Sequence, residues 1–323
     1  MYDVTAIGEL LIDFTPYGTS ENGGSLFEQN PGGAPANVLV ALAKLNKQTG
    51  FIGKVGNDQF GHYLKKVMED HKVDMSGLVF SQDVNTTLAF VHLDEDGDRS
   101  FSFYRKPGAD MTLDSKEIDK SVIKNSRIFH FGSLSMTHEP AASATLDSAK
   151  YAKENGIIVS YDPNLRMPLW SSTEDAKNMI IKGLPFADIL KISEEEFQFI
   201  TGSTDLVKGT GYLCKEYGIS LIFVTRGKKG CFYRMKEFTG SKEGIKVATI
   251  DTTGAGDAFL GGVLYKILEK GGRPSELERE EVKSIAAFAN GVAAVSTTNK
   301  GGIPSMPVLS EIEELLNEEN ALI

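Results

Sequence analysis

The chain is poor in the features that would tie it to an oxidising compartment, a membrane or nucleic acid. It has two cysteines, Cys214 and Cys231, too far apart for a CxxC pair and without a histidine cluster beside them. They read as reduced interior thiols of a cytoplasmic protein. Basic residues are outnumbered, with 34 Lys and Arg against 44 Asp and Glu and a formal charge of −10. That balance argues against nucleic acid as a partner, because a phosphate backbone needs a basic face. No apolar run reaches the roughly 18 residues of a membrane span, so no membrane partner is expected. The short apolar run near the start follows Asp3 rather than a basic segment, which argues against a signal peptide. His130 and His138 have no close His or Cys companions and read as structural.

Two nucleotide-binding patterns are also missing. GxxxxGK[ST] fails at FIGKVG, where Gln48 replaces the first glycine and Val55 the hydroxyl residue. GAGDAF lacks the last glycine of GxGxxG, because Phe259 stands there. Neither a P-loop enzyme nor a simple dinucleotide fold is supported.

What remains is an ordinary globular composition, 41% hydrophobic and 24% charged over 323 residues, enough to bury a large core. Strand-like runs at Val4–Ile7, GFIGKVG, RIFHFG, GIIVSYD, ADILKIS and ISLIFVTRG alternate with helical stretches near 139–155, 172–184 and 206–217. This alternation predicts an α/β body with a mostly parallel sheet between helices. Two polar stretches interrupt it. Residues 11–35 and 86–108, the latter with a turn at Asp96–Gly97, are expected to form a small separate β-sheet that projects as a lid.

The sharpest chemical signal is DTTGAGDAFLGG, Asp251 to Gly262. Gly254 and Gly256 permit tight backbone geometry where a strongly apolar helix begins. A helix opening there aims free N–H groups and its positive end at a phosphate. Gly254, Ala255 and Gly256 are therefore candidate donors to a transferring phosphoryl group, and Asp257 a candidate base for the attacking hydroxyl. The other reading is a glycine turn with Asp257 as a first-turn helix stabiliser.

On the acceptor side, GELLIDF supplies Asp13, and PGGAPANV supplies Gly32, Gly33 and Asn37. Asp13 and Asn37 together can satisfy several sugar hydroxyls; a strand-end acid and a helix cap would look the same. FSFYRKPGAD adds Tyr104 and Arg105, and DPNLR adds Asn164 and Arg166 just past a strand, where α/β sheets bind ligands. Lys191, Glu196, Thr225 and Gly227 are candidates for the nucleotide side. Glu196 lacks the partners of a zinc site and suits magnesium held mainly by phosphates and water.

GGAPANVLVALAKLNKQTGFIGKVGNDQFG and DTTGAGDAFLGG, in that order and at opposite ends of the chain, resemble the two signature regions of the ribokinase-like (PfkB) carbohydrate kinase family. FYRKPGAD, DPNLR, KISEEE and KGGIPSMP make the chain most similar to the fructokinase branch. The resemblance implies one kinase domain over 1–323, with a three-layer α/β/α Rossmann-like body and a β lid. It also implies ATP-dependent phosphorylation of the fructose 6-hydroxyl, with Asp257 as base and Gly254–Gly256 as the anion hole. It implies that Asp13, Gly33 and Asn37 bind sugar, that Arg105 and Arg166 touch substrate or phosphate, and that Asn290 lies by the adenine. Asp251 and Thr253 resemble part of a monovalent-cation site, so K⁺ joins ATP and Mg²⁺ as an expected cofactor. Many members carry NxxE where this chain has SEEE, Ser193 to Glu196. The catalytic motif leaves 2-keto-3-deoxygluconate kinase, ribokinase and a silent sugar sensor as alternatives, and exposed lid strands suit a homodimer.

Overall fold

The apolar runs become the buried strands of one large sheet. The computed structural model describes residues 1–93 and 99–321. The chain opens with β1 (Tyr2–Ile7), β2 (Leu11–Thr19) and β3 (Ser25–Gly32), then α1 (Ala34–Lys44), β4 (Thr49–Gly56), α2 (Gln59–Asp70) and β5 (Val73–Ser81). There follow β6 (Leu88–Leu93), β7 (Arg99–Tyr104), α3 (Lys120–Lys124), β8 (Ser126–Gly132), α4 (Ala141–Glu154) and β9 (Ile158–Asp162). Next come α5 (Thr173–Gly183), β10 (Ile189–Ser193), α6 (Glu194–Thr201), α7 (Leu206–Tyr217) and β11 (Leu221–Thr225). The chain finishes with β12 (Cys231–Met235), β13 (Phe238–Lys242), α8 (Ala255–Lys270), α9 (Arg279–Ser296) and α10 (Leu309–Ala321).

Nine strands pair in the order β13-β12-β11-β10-β9-β8-β1-β4-β5. From β5 to β11 every pairing is parallel, and β12 alone runs against the others, pairing antiparallel with both β11 and β13. Helices cover both faces. Leu39 of α1, Leu64 of α2, Leu260 of α8 and Ile285 of α9 pack on one side; Ala149 of α4, Ile180 of α5 and Leu213 of α7 pack on the other. Each fully buried aliphatic side chain contributes roughly 1.5–3 kcal/mol, so the core fixes the strand ends firmly. Local signals agree with this plan: Asp58 caps α2 by accepting from Gly61 N at 2.8 Å. Among the described residues no helix is long and apolar enough to cross a membrane.

The second sheet, β3-β2-β6-β7, is the lid. Its strands end at Gly32 and Tyr104, so residues 33–35 and 105–108 run in the body rather than in the lid sheet. The expected turn at Asp96–Gly97 lies outside the described residues. Sequence periodicity missed β5, an edge strand whose middle is only partly buried, and the β12–β13 hairpin.

Candidate active site

The body strands share one carboxyl-end rim, and α8 begins there. Gly254 caps α8 with φ +75°, a left-handed conformation that suits glycine, and no side chain caps the helix. The positive end of a long, buried helix thus lacks a side-chain acceptor, as an anion site requires. Ala255 N–H lies 3.2 Å from the Thr252 carbonyl, so part of its donor capacity is used within the turn.

Asp257 sits in this first turn, 7% exposed, and accepts from Asn37 Nδ2 of α1 at 2.8 Å. Burial, and then the nearby charge of Asp162, push its carboxyl up to about 7, against the pull of Lys191, Asn37 and Arg166. A carboxylate that titrates near neutrality is matched to proton transfer at physiological pH.

Asp13, on β2, is also pushed up by burial, to about 6, while Arg166 opposes the shift. Arg166 therefore acts electrostatically on both Asp13 and Asp257, which places its charge in the cleft between lid and body. It is exposed, and its Nη1 donates to the Leu165 carbonyl at 3.3 Å. Asn164 just before it takes a left-handed φ of +49°, which asparagine tolerates better than most non-glycine residues. Asn37 Oδ1 is buried without a hydrogen-bond partner. Gly32 leaves room for the Asp13 carboxylate, and at Gly33 (φ +129°) a Cβ would overlap the Glu9 carbonyl oxygen.

Across the sheet, Lys191 Nζ donates to Asp162 Oδ2 at 2.8 Å, and a Cβ at Gly256 would lie 2.8 Å from the same nitrogen. Ser193 and Glu196 form a capping box at the start of α6. Glu196 Oε2 accepts from Ser193 N at 2.7 Å, and Oε1 from Leu165 N at 2.6 Å. Thr225 ends β11 beside β10, and Gly227 (φ +55°) turns the chain away from it. Asn290 Nδ2 donates to the carbonyls of Lys242 and Glu243, at 3.2 and 2.9 Å, pinning the loop after β13.

The pfkB family carbohydrate kinase profile matches residues 1–309. The chain belongs to this family of sugar kinases. A probable fructokinase-4 from Arabidopsis thaliana is 42% identical over 315 residues, covering 97% of this chain and 96% of that protein. Fructokinase-1 from Zea mays is 43% identical over 319 residues, covering 98% of each. Among solved structures, a fructokinase with bound ATP from Xylella fastidiosa superposes with a TM-score of 0.91 at 32% identity, over 99% of this chain and 100% of that one. A fructokinase double mutant from Vibrio cholerae, with fructose, ADP and potassium ion bound, gives 0.87 at 35% identity over 97% of each chain.

Within this PfkB-family site, two expected substrate residues stand elsewhere. Strand register puts Asp13, Ala89 and Phe103 on one lid face, whereas Tyr104 shares the other with Ile12, Phe14 and Phe90. Tyr104 is 67% exposed and makes an edge contact with Phe90 at 5.5 Å, so it faces away from Asp13. Arg105 is 5% exposed, and its guanidinium is committed to Asp110 Oδ2 (2.7 Å), Thr137 Oγ1 (2.9 Å) and the Leu134 carbonyl (3.0 Å). It clamps the root of the lid. Phe103 stands on the same lid face as Asp13.

Three contributors escaped sequence reasoning. Asp162 carries the Lys191 pair; the signal was an acid ending one buried strand and a base inside the next strand of the chain. Gly302, in the KGGIPSMP segment, abuts Asn37, since a Cβ there would lie 2.8 Å from Asn37 Oδ1. Glu9 accepts from Ala34 N at 2.8 Å, joining two of the chain crossings between lid and body.

The donor set also bears on metals. No cluster of three His, Cys, Asp or Glu suited to a metal exists among the described residues. With both Glu196 oxygens on backbone amides, magnesium would be held chiefly by phosphates and water, with Glu196 reached only through water. Asp251 takes Thr253 N and Oγ1 on Oδ1 (3.0 and 2.8 Å) and Gly301 N on Oδ2 (3.0 Å). Its carboxylate thus braces the loops of the expected K⁺ site, leaving carbonyl oxygens as the natural ligands for that ion.

Proposed function

We propose that the protein is an ATP-dependent fructokinase that phosphorylates the 6-hydroxyl of D-fructose, with Asp257 as general base. The observation that carries this reading is a buried carboxylate near neutrality in the first turn of an uncapped helix, hydrogen-bonded to Asn37. The fructokinase relatives support the choice of sugar, and the ATP-bound and ADP-bound neighbours support the donor. Asp13 and the unpartnered Asn37 Oδ1 accept from sugar hydroxyls and orient the acceptor. The 6-oxygen attacks the γ-phosphorus, its proton passes to Asp257, and the bond from phosphorus to the ADP oxygen breaks. N–H groups at the start of α8, with Lys191 beside them, stabilise charge on the transferring group. Magnesium would neutralise the phosphates. K⁺ would hold the 251–254 loop, and the aromatic lid face around Phe14, Phe27 and Phe90 suits a homodimer.

A second reading, transfer to a sugar acid such as 2-keto-3-deoxygluconate, is favoured by Arg166, which has no ion-pair partner among the described residues. Incubation with MgATP and fructose, ribose, a nucleoside or 2-keto-3-deoxygluconate separates these. Fructose should give the highest kcat/KM, with phosphate on carbon 6 by NMR. A marked preference for another acceptor would replace fructose, and transfer to none would favour a sugar sensor.

A further inference from the structure

Beneath the base lies an ion pair that stability alone does not explain. Asp162 ends β9 and Lys191 lies in the neighbouring β10, 2% and 6% exposed, joined at 2.8 Å. Burying two charges costs several kcal/mol per ion, offset only when hydrogen bonding is complete. Here it is incomplete, because Asp162 Oδ1 is buried without a partner. The ammonium also lies beside the first turn of α8 at Gly256, one residue before Asp257, in space that a Cβ there would crowd. The groups acting on Asp257 are Asn37 from α1, Asp162 from β9, Lys191 from β10 and Arg166 from the loop after β9. Lys191 in turn feels Asp162, Glu196 and Asp257. It is a cation shared among three carboxylates, and it donates a hydrogen bond to Asp162.

Resting on the reading of Asp257 as the base, we infer that Asp162 is a positioning residue for phosphoryl transfer. It holds the Lys191 ammonium beside the anion site and keeps it from pairing with Asp257, so that the base remains free to take the sugar proton. Without the negative charge at 162, Lys191 turns to Asp257. The base is then drawn off its hydroxyl and becomes a weaker proton acceptor.

The test is the pH dependence of kcat/KM for fructose phosphorylation in wild type, Asp162→Asn and Asp257→Asn. In D162N the acid limb should move down by about one pH unit and kcat should fall roughly 10- to 100-fold, within the range of proton-transfer effects. A slower D162N with its limb unmoved would reduce Asp162 to a structural role, and an unchanged rate and profile would remove the role altogether. If D162N does not fold, Asp162→Glu carries the test. It keeps the charge but moves the carboxylate, so kcat should fall with the limb in place; a shifted limb or an unchanged kcat overturns the inference. Near-normal turnover in D257N removes the base and this inference together, whereas an inert D257N with an unmoved D162N limb overturns this inference alone.

Discussion

Two buried ion pairs of nearly equal length, one at the lid root and one beneath the site, are finished differently. At the lid root, Arg105 and Asp110 meet at 2.7 Å with side chains 3% and 1% exposed. Thr137 and the Leu134 carbonyl take the remaining arginine donors, and Asp110 Oδ1 accepts from Thr87 Oγ1. Under the site, Lys191 and Asp162 meet at 2.8 Å, but Asp162 Oδ1 and nearby Asn37 Oδ1 find no partner, and Asp257 is pushed to about 7. A completed buried network rigidifies, whereas an incomplete one in a cleft keeps capacity that a substrate can fill. The first pair holds the lid root in place; the second belongs to the chemistry.

This contrast is sharpened first at the lid root. Arg105→Ala strands Asp110 in the interior and should cost roughly 3–5 kcal/mol of stability in urea unfolding. A stable R105A that loses only sugar affinity would return Arg105 to the substrate side. Asp13→Ala comes next. Loss of a charged acceptor should weaken fructose binding by roughly 1.5–3 kcal/mol, about 10- to 100-fold, and leave MgATP affinity unchanged. Calorimetric titration of each ligand reads this directly, with thermal unfolding to confirm an intact fold.

Glu196→Gln should act more weakly. It keeps one acceptor oxygen where the carboxylate bridges Ser193 N and Leu165 N, so the loop bearing Arg166 loosens by roughly 1 kcal/mol. Fructose affinity measured without magnesium should fall several-fold; a defect seen only with MgATP would mean that Glu196 serves the metal alone. A further test concerns Glu9, the lid-root carboxylate that breaks the pattern, with Oε2 unpartnered and burial raising it to about 7. A raised folded-state pKa gives stability that is present below the unfolded value near 4.5 and lost as pH rises through 7. Glu9→Gln should therefore melt a few degrees above wild type at pH 8 and level with it at about pH 4. Equal melting at both would show that Glu9 is not burdened by its charge.

The alternation of apolar runs made the parallel body legible, because strands buried on both faces need continuous hydrophobic stretches. DTTGAGDAF made the start of α8 legible, because glycine permits the left-handed turn at Gly254 from which an apolar helix opens. Tyr104 and Arg105 were harder. Their adjacency to the lid was visible, but which face a strand residue takes depends on register with β6, and that is a tertiary fact. Glu196 was harder too: S-x-x-E is a capping-box signature, yet its second bond, to Leu165, spans two loops distant in sequence. The Asp162–Lys191 pair depends on β9 lying next to β10, which no local pattern reports.

The central claim is that Asp257 supplies proton acceptance while other groups supply binding and charge. Single-turnover phosphoryl transfer from MgATP to fructose in Asp257→Asn, with the affinity of each ligand measured on the same preparation, tests it most directly. Asparagine keeps the size and the contact with Asn37 but cannot act as the base. Transfer should fall roughly 10²–10⁴-fold while both affinities stay near wild type. Near-normal transfer with both ligands bound would contradict the account.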